Sequence, residues 1–173
     1  MNITIKIGTT KIVEELTLGS LYFVASSISG IQKILFNKYQ KEISFINSYF
    51  DNAIKVPQYL EKNIITLESV KVLQDYFSIP SLLIESYGLY NQLVFVTLKE
   101  LTKKDIVVIE TTGLATDSII GFFHFFNHFT NSHKDKMIII VQIQPIGLSY
   151  PEFKLKNISQ DGLKDFDFWL KNI

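Results

Sequence analysis

Strand-length runs of apolar residues, separated by longer stretches with helical spacing, constrain this chain more than any other feature. The runs are 3–7 (ITIKI), 21–25 (LYFVA), 43–47 (ISFIN), 106–110 (IVVIE) and 137–143 (MIIIVQI). A strand with one wet face alternates apolar and polar residues, whereas a strand apolar at successive positions must be covered on both faces. Between the runs, 81–101 aligns Leu83, Tyr87, Tyr90, Val94, Leu98 and Leu101 on one helical face. The stretch 117–131 also has helical spacing, with Ile120, Phe123 and, beyond His124, the cluster Phe125, Phe126 and Phe129. This pattern predicts an α/β fold, a mostly parallel sheet flanked by helices on both faces. The C-terminal stretch "FKLKNISQDGLKDFDFWLKN" departs from it. There Asp161-Gly162 stands between two partly alternating segments, which predicts a terminal antiparallel hairpin, with a short helix from Gly162 as the competing reading.

A chain of 173 residues suits one domain, 1–173, with room for a sizeable core. Its hydrophobic residues make up 47% and its aromatics 13%, a surplus to be buried inside or against a partner. All 17 basic residues are lysine, and 17 acidic residues balance them, so no net charge draws the chain to nucleic acid or anionic lipid. With no cysteine, disulfides, thiol catalysis and thiolate metal sites are excluded. The longest greasy stretch, around 119–126, is too short to span a bilayer. The first residues lack the basic-then-apolar build of a signal peptide. The expectation is a cytoplasmic protein with no membrane association.

Residues 19–39, "GSLYFVASSISGIQKILFNKY", have the strand–turn–helix order in which a Walker A motif, G-x-x-x-x-G-K-[ST], is meaningful. Laid over Ala25, Ser26, Ser27, Ile28, Ser29, Gly30, Ile31 and Gln32, the motif keeps only its last glycine, Gly30. The stretch "IGTTKIVEELTLGSLYFVASSISG" resembles the opening of RecA-like proteins of the KaiC/RadA branch. In those proteins a glycine turn, a short helix (here around Lys11 to Leu16) and a glycine hinge precede the phosphate-loop strand. "KKDIVVIETTGLATDS" resembles that family's Walker B strand, with Glu110 at the place of its aspartate. "KMIIIVQIQ" is similar to the strand that follows, and the hairpin fits the family's finish.

What the resemblance implies for the site is loss. The family's lysine bridges terminal phosphates and the next hydroxyl holds magnesium; Ile31 has no charge and Gln32 is a poor ligand for a hard cation. Lys33 is rotated about 200° from the lysine's place on a helix. Where the family carries its catalytic glutamate this chain offers Asn47, Ser48, Tyr49 and Phe50, and no arginine finger can come from it. The expectation is that ATPase chemistry is lost and that the chain is not an enzyme, with no cofactor and no metal.

Other residues admit two readings each. Ser26, Ser27 and Ser29 could cradle an anion at a helix start, or simply cap the helix. Glu110 could ligate a metal, or be satisfied by loop amides. His124 and His128, four apart, with His133 beyond, could share a metal, or edge an aromatic face. Phenylalanine covers more than half the circumference of that helix, so Phe122, Phe125, Phe126 and Phe129 are the candidate interface, with one set inside and another meeting a partner. Lys103, Lys104, Lys134 and Lys136 read as solvated lysines, giving at most weak, non-specific nucleic-acid binding. By the resemblance, the chain is expected to be a structural partner or regulator of an active RecA/RadA/KaiC-like ATPase, in DNA recombination or repair, or to self-associate. The alternative is an α/β sensor holding a small anion or nucleotide at the strand ends around 111–117.

Overall fold

The computed structural model describes residues 1–7, 10–26, 30–47, 50–56, 65–79, 88–112, 114, 116–143 and 153–157. Four of the apolar runs form one parallel sheet: β3 (Ser20–Ser26), β4 (Ile43–Ile46), β5 (Ile106–Glu110) and β6 (Met137–Ile143). The strand order is β4-β5-β6-β3-β7, where β7 (Phe153–Asn157) pairs antiparallel with β3. The registers Ser20↔Met137, Ile106↔Met137 and Ile43↔Ile106 start the parallel strands at a common level. The α/β reading is therefore right. The antiparallel last strand is present, while the turn at Asp161-Gly162 and the second half of the expected hairpin lie outside the described residues.

Successive side chains of a strand point to opposite faces, and here both faces are dry. Leu21, Phe23, Val107, Ile109, Ile138 and Ile140 face one way, under α2 (Leu67–Phe77), α3 (Leu89–Leu101) and α4 (Thr116–Ser132). Tyr22, Val24, Phe45, Val108, Ile139 and Val141 face the other way, against Ile31, Leu35 and Phe36 of α1 (Ile31–Phe36). A 3-10 turn, Asn37–Tyr39, ends α1. The helix expected over 81–101 begins at Leu89, its earlier part lying outside the described residues.

Two expectations near the N-terminus are corrected. The run 3–7 does not join the main sheet, and 11–16 is not a helix. Instead β1 (Asn2–Ile7) and β2 (Thr10–Glu15) form a separate two-stranded ribbon, with Ile5↔Ile12 and Thr4↔Val13 in register. The β-branched sequence Thr10, Ile12, Val13 favours the pleated form once residues 2–7 supply a partner strand. Gly19, with φ +76, links the ribbon to β3. A Cβ there would come within 2.9 Å of the Lys134 side chain and 3.2 Å of its backbone, so the hinge requires glycine.

The aromatic helix is also corrected. Phe122, Phe123, Phe126 and Phe129 are all buried within the chain, and Phe125 is half-buried against the same core. The sheet covers one side of α4, with Phe23 against Phe123 at 5.3 Å between ring centroids. Flanking helices cover two more, Tyr90 of α3 reaching Phe122 at 6.3 Å and Phe77 of α2 reaching Phe129 at 5.1 Å. A helix enclosed on three sides uses a wider apolar arc than one resting on a sheet alone. His124 and His128 occupy the exposed side.

The lysines at the amino ends of the strands are engaged. Lys136 is buried and paired with Asp105 at 2.6 Å and Asp135 at 3.3 Å. Burial works to lower its pKa, but the bonds and charges of those two aspartates outweigh it and raise the ammonium above its usual range. Lys103 pairs at 2.6 Å with Glu100, a buried carboxylate that also accepts from Ser44 at 3.0 Å. Lys104 donates to the Lys41 carbonyl.

Candidate functional site

The parallel strands end at one edge with Ser26, Ile46, Glu110 and Ile143. The chain leaves β3 toward the face that carries α1 and leaves β5 toward the opposite face, which carries α4. The departures diverge and leave a crevice at the carboxyl ends, with β6 between the two strands.

Two side chains bridge it. Gln32, in the first turn of α1, is wholly buried because Ile31, Gln32, Leu35 and Phe36 form the face that packs on the sheet. Its Nε2 donates to Glu110 Oε2 at 3.0 Å, and Thr112 Oγ1 donates to Glu110 Oε1 at 3.0 Å. Glu110 is thus satisfied by side-chain donors rather than loop amides. Burial raises its pKa above the usual carboxylate value, partly offset by the Thr112 bond and the nearby charge of Lys55. Thr111 turns inward and donates to Gln142 Oε1 at 2.6 Å, while its N–H bonds the Val141 carbonyl at 3.1 Å. The far rim is shaped by Asn47, in the left-handed region at φ 51. Its Oδ1 accepts from the Val56 N–H at 3.1 Å.

One atom stands out. Gln32 Oε1 is buried with no hydrogen-bond partner among the described residues. An orphaned buried acceptor of this kind costs about 1–3 kcal/mol.

Several positions fall where the sequence put them, with altered roles. Gly30 is the N-cap of α1 at φ 71, in the left-handed region, and no side chain caps the helix there. The serine-cap reading is corrected accordingly for the described residues. Ser27 and Ser29 lie outside them, and Ala25 and Ser26 form the end of β3. Ile31 is buried in the apolar layer with Tyr22, Val24 and Val141. Among the described residues no group of three or more His, Asp or Glu could hold a metal. The side chains present do not fit the magnesium nucleotide of a phosphate loop: an isoleucine fills the lysine's place, and the amide that replaces the metal-binding hydroxyl turns its N–H to Glu110. Sequence reasoning missed Thr112 and Lys55 as neighbours of Glu110. Thr112 was readable from its closeness in sequence, Lys55 from nothing local.

No protein-family model matches the chain, and no curated protein is similar to it in sequence. Among solved structures it is similar to cbiO1 from Clostridium perfringens, part of the ABC transporter complex cbiONQ. The two are 12% identical, with 82% of this chain and 76% of that one covered and a TM-score of 0.44. The expectation that the chain is not an enzyme is not upheld by this likeness to part of an ABC transporter complex. No helix among the described residues is long and apolar enough to cross a membrane.

Proposed function

We propose that the chain is a RecA-like domain of the KaiC/RadA branch that acts as a structural partner or regulator of an active RecA/RadA/KaiC-like ATPase, in DNA recombination or repair in the cytoplasm. The observation that carries this reading is the Gln32–Glu110 bond. At the place where a phosphate loop and its facing strand are otherwise joined through a bound ligand, the chain joins them with its own side chains. The strand edge is thereby organised before any nucleotide arrives, as a domain that works through its surfaces requires.

The outer side of α2 supports the same reading. Leu67 is 89% exposed, and Val72 and Tyr76 are each 60% exposed. Val72, Leu73 and Tyr76 line a groove of about 620 Å³ with Phe95 and Lys99 of α3 and Thr102 just beyond it. Apolar side chains exposed beside a groove characterise contact surfaces. The sensor reading is opposed by the chemistry of the crevice. The partly exposed Glu110 carboxylate presents an acceptor, which repels an anion rather than binds it.

Sedimentation velocity tests the proposal. The purified chain is mixed with the purified RecA/RadA-like ATPase of the same organism and run at physiological salt. A faster boundary containing both proteins is the expected result; independent sedimentation at tens of micromolar overturns the partnership.

A further inference from the structure

His133 follows α4, and both of its ring nitrogens meet backbone carbonyl oxygens. Nδ1 lies 2.9 Å from the Phe129 oxygen, and Nε2 lies 3.0 Å from the oxygen of Phe77, the last residue of α2. A carbonyl oxygen only accepts. A neutral imidazole carries one N–H and an imidazolium two, so the neutral ring can serve one of these oxygens and the protonated ring both.

The ring sits at a helix end between two aromatic side chains. Phe77 ends α2, where the helix dipole presents its negative end. The Schellman closure there uses other carbonyls: Ser78 N–H bonds Asp75 and Ile79 N–H bonds Gln74, at 3.3 and 2.9 Å. The imidazole stacks on Phe129 at 4.2 Å between centroids and 15° between planes, and meets Phe77 edge-on at 5.5 Å.

We propose that His133 is a proton-operated clamp between the end of α2 and α4. The neutral ring carries its proton on Nδ1, toward Phe129, so protonation adds the Nε2–H bond to the Phe77 oxygen and fastens α2, and deprotonation releases it. The titratable and charged groups nearest it in sequence on these elements are Asp75 and Tyr76 on α2, His128 one turn earlier on α4, and Lys134, Asp135 and Lys136 in the following turn. Glu68 and Lys71 of α2 and Asp117 and His124 of α4 lie further along. Lys134 is bonded to Asn131 and Lys136 is held by Asp105 and Asp135. A hollow of about 150 Å³, walled by Ser78, Phe125, His128 and Ser132, lies beside the ring and gives solvent protons a route to it. Because α2 forms one wall of the apolar groove, the clamp ties the placement of that wall to acidity. This inference stands independently of any partner.

Hydrogen exchange of the α2 amides, corrected for intrinsic exchange and followed from pH 8 to pH 5.5, tests it. Protection of the last two turns of α2 rises about tenfold in the native chain as pH falls, the size of one added charge-assisted bond. The rise is lost in His133→Gln and retained in His128→Gln. A flat profile in the native chain, or an equal rise in His133→Gln, overturns the clamp. Should His133→Gln fold poorly, the native ring protons decide. At pH 5.5 both ring N–H protons exchange slowly because carbonyls hold them, and rapid exchange of the one facing Phe77 overturns the proposal.

Discussion

Removing the Glu110 carboxylate should destabilise the chain, and removing its partner as well should restore much of the loss. Glu110→Ala deprives the Gln32 amide of its 3.0 Å acceptor, leaving its Nε2 and Oε1 both unpaired within the apolar layer beneath α1. A hydrogen bond to a charged group contributes about 1.5–3 kcal/mol, and partial exposure of Glu110 pulls the figure down, so the expected cost is about 2 kcal/mol. For a chain of this length that is a fall in Tm of about 4–8 °C. Gln32→Leu in the same background removes the stranded amide and buries an aliphatic side chain in its place, recovering about 1–2 kcal/mol. Gln32→Leu alone strands a carboxylate that keeps Thr112 and solvent, at a cost of about 1 kcal/mol. Equilibrium urea denaturation of the four proteins at pH 7.5 yields the coupling energy, expected to be about 2 kcal/mol or more. Additive single effects, within about 0.5 kcal/mol, would refute the claim that the two side chains hold each other across the crevice.

Other expectations follow from the same structure. Burial holds the Glu110 pKa above its ordinary 4.5, so its contribution is fully present below pH 4.5 and is lost as pH rises through the folded-state value. The stability of the native chain relative to Glu110→Gln should fall across that window and level off above it; a difference that grows with pH contradicts the burial argument. Phe126→Ala, which empties a core position between Phe122, Phe125 and Phe129, should cost about 3–5 kcal/mol in chemical denaturation. A loss below about 1 kcal/mol would return Phe126 to the surface. Ser78→Gly relieves a left-handed residue at φ 53 and should stabilise the end of α2 by about 1 kcal/mol, read as an upward shift in the urea midpoint.

The parallel sheet was legible because a strand buried on both faces leaves an uninterrupted apolar run, as in IVVIE and MIIIVQI. The β1–β2 ribbon was not, since TKIVEEL also satisfies a helical reading and only pairing with residues 2–7 decides the matter. α2 escaped notice because Val70, Leu73 and Phe77 form a narrow stripe, and its Thr66–Ser69 capping box lacks the usual glutamate. The aromatic helix misled for a geometric reason: circumference counts how many neighbours enclose a helix, and a sequence does not say how many there are. At the crevice, the positions of Gly30, Ile31, Gln32 and Glu110 were readable from the motif overlay. Their joining was not, because Gln32 and Glu110 stand 78 residues apart.

The partnership is tested most directly through the partner's own turnover. Steady-state ATP hydrolysis by the RecA/RadA/KaiC-like ATPase, in the presence of single-stranded DNA, is measured while the native chain is titrated in. A variant carrying Val72→Glu and Tyr76→Glu on the exposed side of α2 serves as the comparison. The account predicts a change in the ATPase rate that saturates near a fixed stoichiometric ratio with the native chain and is weakened at least severalfold by the α2 variant. A rate unchanged by an excess of the native chain would contradict it.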